Sequence, residues 1–183
     1  MATKRPEPSE AVIDWRTAPR RPATDEEARA LASTLRIRIL RVCLHEARTN
    51  KEIAGILDKD PASTLHHVRR LVDTGFLAAQ PARRGTRGSR EVPYLATRKS
   101  WKMSTPAKDR ILLDAFLEEV SLVAVGSVET ARLGLRLSPH RMDELMDRLR
   151  DLLDEFSEDA DDLDAEPMSL FVAIHPDPNR PPT

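Results

Sequence analysis

The sequence predicts a mainly α-helical chain with a small β-hairpin in its middle and a short strand near its end. Three observations lead there. Apolar residues recur at spacings of three and four in successive stretches. Helix-opening residues stand in front of several of these: Thr24 with Glu27, Thr49 with Glu52, Asp60 before Pro61, Ser138 before Pro139. Between the fourth and fifth stretches, "FLAAQPARRGTRGSREVPYLATR" reads instead as two short strands around a Gly/Arg loop.

Residues 1–23 are rich in proline and charge and read as mostly irregular, with "AVIDW" a short extended piece that would dock through Trp15. Thr24 and Glu27 fit a capping box that opens a helix through "DEEARALA". Ser33 begins "STLRIRILRVCLHE", in which Leu35, Ile39 and Val42 form one row and Ile37, Leu40 and Leu44 lie beside it. Such a helix buries a broad face, and Cys43 within it reads as a small buried hydrophobe. "TNKEIAGIL" opens on a second capping box, and Ile53, Ala54, Ile56 and Leu57 make its apolar side. "DKD" is a tight connection to "PASTLHHVRRLVDTGFL", where Leu65, Val68, Leu71 and Val72 share one stripe. Gly75 ends that helix as a left-handed cap. Two short helices joined by a tight turn and followed by a hairpin predict a winged helix-turn-helix.

Beyond the hairpin, "STPAKDRILLDAFLEEVSLVAVGSVETARLGLRL" opens at Pro106, and its apolar pattern predicts a helix to about Leu133. Ile111, Leu112, Ala115, Phe116, Val120, Val123 and Ala124 leave both flanks of its stripe apolar, more than one small domain needs. Ser138 and Pro139 open a second helix, with Met142, Leu145, Met146, Leu149, Leu152, Leu153 and Phe156 in helical period. That stripe suits plain core or dimer contact, or a hydrophobic ligand pocket. The expected organisation is an irregular segment (1–23), the winged helix-turn-helix (24–104), a helical dimerisation or effector region (105–157), an acidic linker (158–167), a terminal strand (168–175) and a disordered tail (176–183).

The net charge of −1 hides a strong segregation. Residues 31–104 hold 15 Lys and Arg against 6 Asp and Glu, a balance of +9; residues 105–183 hold 8 against 18, a balance of −10. The basic block suits a polyanion, and the acidic half should point away from it. One cysteine allows no intramolecular disulfide. No apolar run approaches the ~18 residues of a membrane span, and "MATKRPEPSE" lacks the apolar core of a signal peptide, so a cytoplasmic protein is expected. Aromatic residues make up only 4% of the chain, so cores must be built from Leu, Val, Ile and Ala, which favours pairing with a second chain.

Two adjacent histidines, His66 and His67, invite a metal reading. Neighbours on a helix point about 100° apart, whereas helical metal pairs are spaced i, i+4. Cys43 and His45 point to nearly opposite sides of their helix, and His140 and His175 have no visible partners. No metal site and no cofactor are therefore expected. No nucleophile–base–orienter set or phosphate loop is present, so no enzyme is expected either. The polar faces of the fourth helix carry Ser63, Thr64, His66, His67, Arg69 and Arg70, and the loop arginines Arg83, Arg84, Arg87 and Arg90 alternate with Gly85 and Gly88. This set suits double-stranded DNA: helix N-terminal residues at base edges, loop arginines at phosphates or a narrow minor groove. Blander roles stay open: capping for Ser63 and Thr64, solvation for the histidines and the loop, ion pairs with Asp73 or Glu52 for Arg69 and Arg70.

"TLRIRILRVCLHEARTNKEIAGILDKDPASTLHHVRRLVDTGFLAA" resembles the DNA-binding core of the ArsR-like family of bacterial winged helix-turn-helix regulators. The resemblance spans roughly residues 25–100 and rests on the order and spacing of elements that are individually common. It implies a homodimer that binds a pseudo-twofold operator and represses transcription, with residues 61–74 as recognition helix and 82–90 as basic wing. Metal-sensing members carry a Cys-x-Cys motif near the positioning helix, or Asp and His ligands on the helix after the wing. Here the single cysteine is Cys43 and the helix after the wing has no histidine, so the resemblance extends to DNA binding and not to metal sensing. Ile111, Phe116 and Val120 are expected at the dimer interface, and a small-molecule or protein effector would act through the C-terminal half. The competing expectation is a winged helix that binds a protein partner without DNA.

Overall fold

The structure is a computed structural model, and it describes residues 21–85, 88–104, 108–124, 126–158 and 164–178. Its elements run β1 (Arg21–Pro22), α1 (Asp25–Leu31), α2 (Thr34–Val42), β2 (Arg48–Thr49), α3 (Asn50–Ile56), α4 (Pro61–Asp73), β3 (Leu77–Ala79), β4 (Arg83–Arg84), β5 (Arg90–Glu91), β6 (Pro93–Ala96), a 3-10 turn (Lys99–Lys102), β7 (Met103–Ser104), α5 (Lys108–Val120) and α6 (Pro139–Glu158). This is a mainly helical winged helix-turn-helix with a small antiparallel sheet. Trp15, Pro106 and most of the tail lie outside the described residues.

Each early helix starts where its capping residues stand. The reciprocal capping boxes form at Thr24–Glu27 and Thr49–Glu52, and the Asp60 carboxylate accepts from the Ser63 amide at 2.8 Å ahead of Pro61. Two helix ends reverse the chain by the same device. Gly75 sits at φ 73°, its amide donates to the Val72 carbonyl at 2.9 Å, and the Phe76 amide donates to Leu71 at 2.8 Å. These are the paired bonds of a Schellman motif, and they drop Phe76 into the core beside Leu71. After α3 the left-handed position falls to Asp58 at φ 51°, with the Lys59 amide donating to Ala54 at 2.9 Å.

The sheet runs β2–β6–β3, all antiparallel, with Leu77 opposite Ala96 and Thr49 opposite Pro93. The wing tip is the separate ladder β4–β5, pairing Arg84 with Arg90. Two short pieces were not legible in the sequence. β2 supplies the third sheet strand, and β1, within the segment expected to be irregular, pairs in parallel with β7. Each follows from a neighbour that offers unpaired backbone rather than from its own composition.

Leu31, Ile39, Cys43, Ile53, Val68, Leu71, Phe76 and Leu77 fill the core, joined by Met103 and Ala115. Cys43 is fully buried, and burial pushes its thiol up to about 12. One ion cluster covers the core edge. Glu27 takes Arg21 at 2.5 and 2.8 Å and Lys99 at 2.8 Å while capping α1; Lys99 also donates to the Thr74 carbonyl at 2.6 Å and lies over the Phe76 ring. The Arg21 and Lys99 hydrogen bonds, then the Thr24 amide, hold the Glu27 carboxyl far below the usual range.

Four expectations for the C-terminal half are corrected. The helix expected to reach Leu133 ends at Val120, turns through Ser121–Val123 and is followed by Gly126 at φ 93°. β-Branched valines and a left-handed glycine oppose continuation. Second, the apolar surface of α5 is largely spent inside the chain: Ala115 is buried, Ile111 and Leu112 pack against the core, and Phe116 stacks on Phe171 at 4.5 Å. Val120 is half-buried. Third, residues 121–124 and 126–138 do not continue the helical region but lie outside any helix or strand before α6. Fourth, residues 168–175 do not form a strand, because no ladder partner lies beside them among the described residues. Ser138 does accept from the Arg141 amide, at 3.4 Å, where α6 opens.

Two stability outcomes follow from the caps and the clamp. Gly75→Ala should destabilise by about 1 kcal/mol, whereas Asp58→Gly should be neutral or stabilise by up to ~1 kcal/mol, since only glycine adopts positive φ without a steric cost; urea unfolding midpoints check both. A carboxyl whose folded pKa is depressed contributes its full stability above the unfolded value of roughly 4.3 and loses it as pH falls below that. Thermal melts from pH 7 to pH 3 should show a steeper loss in the native chain than in Glu27→Gln.

Candidate nucleic-acid interface

The N-terminus of α3 is the hub of this region. Its first residue, Asn50, donates from Nδ2 to the Pro61 carbonyl at 2.8 Å, which fixes the start of α4 beside the start of α3. Glu52 does two things at once. One oxygen accepts the Thr49 amide at 2.7 Å, and both oxygens take Arg83 of the wing at 2.5 and 2.8 Å. The amide hydrogen bond, more than the arginine, lowers the Glu52 carboxyl below its ordinary value. Two helix N-termini and the wing are thereby brought to one edge. A cleft of about 530 Å³ opens there, lined by Thr49, Lys51, Glu52, Arg83, Arg84, Gly85 and Glu91.

α4 sorts its polar residues onto two faces. Ala62, Ser63, His66, Arg69 and Asp73 are exposed, at positions that share one side of a helix. Thr64 is fully buried, and its hydroxyl donates to the Asp60 carbonyl at 2.9 Å. The expectation that Thr64 meets DNA is corrected: it lies on the same side as Val68 and Leu71. His67 is half-buried and turns toward α2, where an Arg36 guanidinium nitrogen lies 3.3 Å from its Nδ1. Burial first and Arg36 second lower the His67 pKa, which favours the neutral ring beside the Arg36 guanidinium. Arg36 itself caps the end of α1 through the Ala30 and Arg29 carbonyls. Arg70 pairs with Glu26 at 3.1 Å rather than with Asp73 or Glu52. This half-exposed pair contributes little, about 0–1 kcal/mol.

In the wing, Arg84 and Arg90 face each other across the ladder and are exposed. Gly88, at φ 75°, donates to the Gly85 carbonyl at 3.0 Å near the tip. Arg87 lies outside the described residues. Among the described residues, Arg69, Arg84 and Arg90 make no ion pair. Lys51, exposed beside them, belongs to the same set. It was missed in the sequence because it sits on the positioning helix, although its place two residues after the Thr49 cap marks it as a first-turn residue. No group of three His, Cys, Asp or Glu side chains close enough to hold a metal occurs among the described residues. None of their helices is long and apolar enough to cross a membrane.

No protein-family model and no curated protein sequence matches the chain. Solved structures do. The transcriptional regulator SlyA matches at 21% identity and a TM-score of 0.33, over 68% of this chain and 75% of its own. A mutant of Lactococcus lactis ZitR in apo form matches at 22% and 0.31, over 70% and 86%. Staphylococcus aureus MarR in complex with salicylate and kanamycin matches at 10% and 0.29, over 68% and 72%. At these scores the likeness does not place the chain in any one subfamily, the ArsR-like one included.

Glu52→Ala should remove the reciprocal cap and free the wing together. A loss of about 1 kcal/mol in chemical denaturation, with faster amide exchange across residues 83–91, is the expected pair of outcomes. Glu52→Gln, which keeps an acceptor for the Thr49 amide, should speed wing exchange with a smaller loss.

Proposed function

We propose that this protein is a DNA-binding transcriptional regulator that acts as a homodimer, and, following its ArsR-like resemblance, as a repressor. One observation carries the reading. The start of α3, the start and outward face of α4 and the wing meet at one edge, and that edge presents Lys51, Ser63, His66, Arg69, Arg84 and Arg90 to solvent. The balance of +9 over residues 31–104 supports it, as does the opposite balance in the half that follows.

In this reading α4 enters the major groove with Ser63, His66 and Arg69 toward base edges, and the wing arginines, Arg87 included, take phosphates. Arg83 acts through Glu52, holding the wing at its angle. Arg70, His67 and Thr64 set the position of α4 instead of touching DNA. One bidentate arginine–guanine contact discriminates by about 1–3 kcal/mol, so most of the affinity comes from phosphate neutralisation. A dimer doubles the cationic edge and reads two half-sites. Its interface includes the α5 residues Ile111, Phe116 and Val120 only as far as their packing within the chain leaves them accessible. A small-molecule or protein effector would act on the C-terminal half.

Binding to promoter fragments should weaken about 10³–10⁵-fold between 50 and 200 mM salt if roughly 6–10 phosphates are neutralised. A flat salt response would sink the proposal. The Arg84→Ala, Arg90→Ala double variant removes two contacts from each protomer of the dimer and should lower the salt slope by about 4 for every sequence alike. Arg69→Ala should chiefly erode discrimination between operator and random DNA. Thr64→Ala should lower thermal stability and leave the salt slope unchanged. Zn²⁺ and a chelator should both leave operator affinity unaltered.

A further inference from the structure

Most of the exposed large apolar side chains, from Leu117 onward, lie in the C-terminal half. Two stretches there follow a period of two. Leu133, Leu135 and Leu137 alternate with Arg132, Gly134 and Arg136 just before α6. After α6, alternate positions from Met168 to Ile174 are all exposed, with Met168 at 85% and Leu170 at 74%. Two of the three intervening positions of the second stretch touch the chain itself: Phe171 stacks on Phe116 of α5, and the Ser169 hydroxyl takes Arg41 of α2 at 2.7 Å. The stretch therefore lies on its own domain by one face and leaves the other open.

Among the described residues, the backbone of 128–137 and of 168–174 makes no hydrogen bond to other backbone and lies outside any helix or ladder. Apolar chain whose amides and carbonyls lack backbone partners is a template for strand addition. The two stretches have matching length and patterning, and within one chain they do not pair with each other. The segment they need is present in every copy.

We infer that two copies of this chain associate by reciprocal strand pairing, residues 131–137 of one protomer against residues 168–174 of its partner, with the apolar end of α6 packed against the sheet so formed. The magnitude suits this occupant. At roughly 100 Å² for a fully exposed large apolar side chain, the exposed apolar residues of the two segments and of the last turn of α6 present on the order of 600 Å² per chain. A pair would bury roughly 1,200 Å², the scale of a specific interface. Leu152, Leu153 and Phe156, the last apolar turn of α6, are exposed in one chain and supply part of that area. The pairing is independent of whether the winged helix binds DNA.

Hydrogen exchange on the full native chain, read with light scattering across a dilution series, tests this directly. The expected result is a dimer in which amides of 131–137 and 168–174 exchange at least ~100-fold slower than free chain, with that protection lost as dilution yields monomer. The Leu135→Glu, Leu170→Glu double variant should be monomeric while α2–α4 keep native protection, which separates lost association from lost folding. Three results would each overturn the inference: a dimer whose two segments exchange as free chain, protection of both segments in a monomer, or a chain that stays monomeric with both segments unprotected.

Discussion

The reversal at Gly75 is the constraint on which the N-terminal domain depends. α4 must stop after Asp73 and return at once as β3, or neither the sheet nor the wing can start in register. A positive φ lets the Phe76 and Gly75 amides close back on Leu71 and Val72, and Phe76 then becomes one of the largest fully buried side chains. Lys99 seals the same point by bonding the Thr74 carbonyl, lying over the Phe76 ring and pairing with Glu27. Glu27 in turn holds Arg21 and the start of α1. One helix end thus ties together the first helix, the fourth helix and the segment after the wing.

The cationic edge is positioned by side chains that are themselves engaged within the fold. Asn50 and Glu52 set where α4 and the wing begin relative to α3, and Arg36 and His67 fix the inner side of α4. The outward residues are then exposed on rigid elements and carry little structural duty of their own. That separation is what lets Arg69, Arg84 and Arg90 change without unfolding the domain, while Thr64, Glu52 and Gly75 cannot change so freely.

The C-terminal half differs in kind. α5 is anchored to α2 by Ala115 in the core and by Arg38–Glu118 and Arg41–Glu119 ion pairs. Beyond Val120 the chain buries little: apolar side chains stand in solvent along both flanks of α6. A short irregular segment cannot offset its ordering entropy without burial or pairing. Reciprocal pairing with a second copy would supply both.

The sequence by itself determined what local chemistry can specify. The capping boxes, the Asp60–Pro61 start, the Gly75 stop, the apolar stripe of α4 and the hairpin each depend on residues within a few positions of one another, so periodicity and turn residues were enough to read them. The charge segregation was equally legible. Only tertiary structure decided which face of α4 is outward. Ser63 and Thr64 are chemically alike neighbours, yet the 100° step between them puts one in solvent and the other against Val68 and Leu71. It also decided that Arg83 clamps the wing while Arg84 stays open, that Arg48–Thr49 becomes a strand because β6 has an edge to offer, and that Phe116 is covered by Phe171. Residues 168–175 have the composition of a strand, but composition cannot supply the second strand, and a ladder forms only where a partner's amides and carbonyls lie within reach.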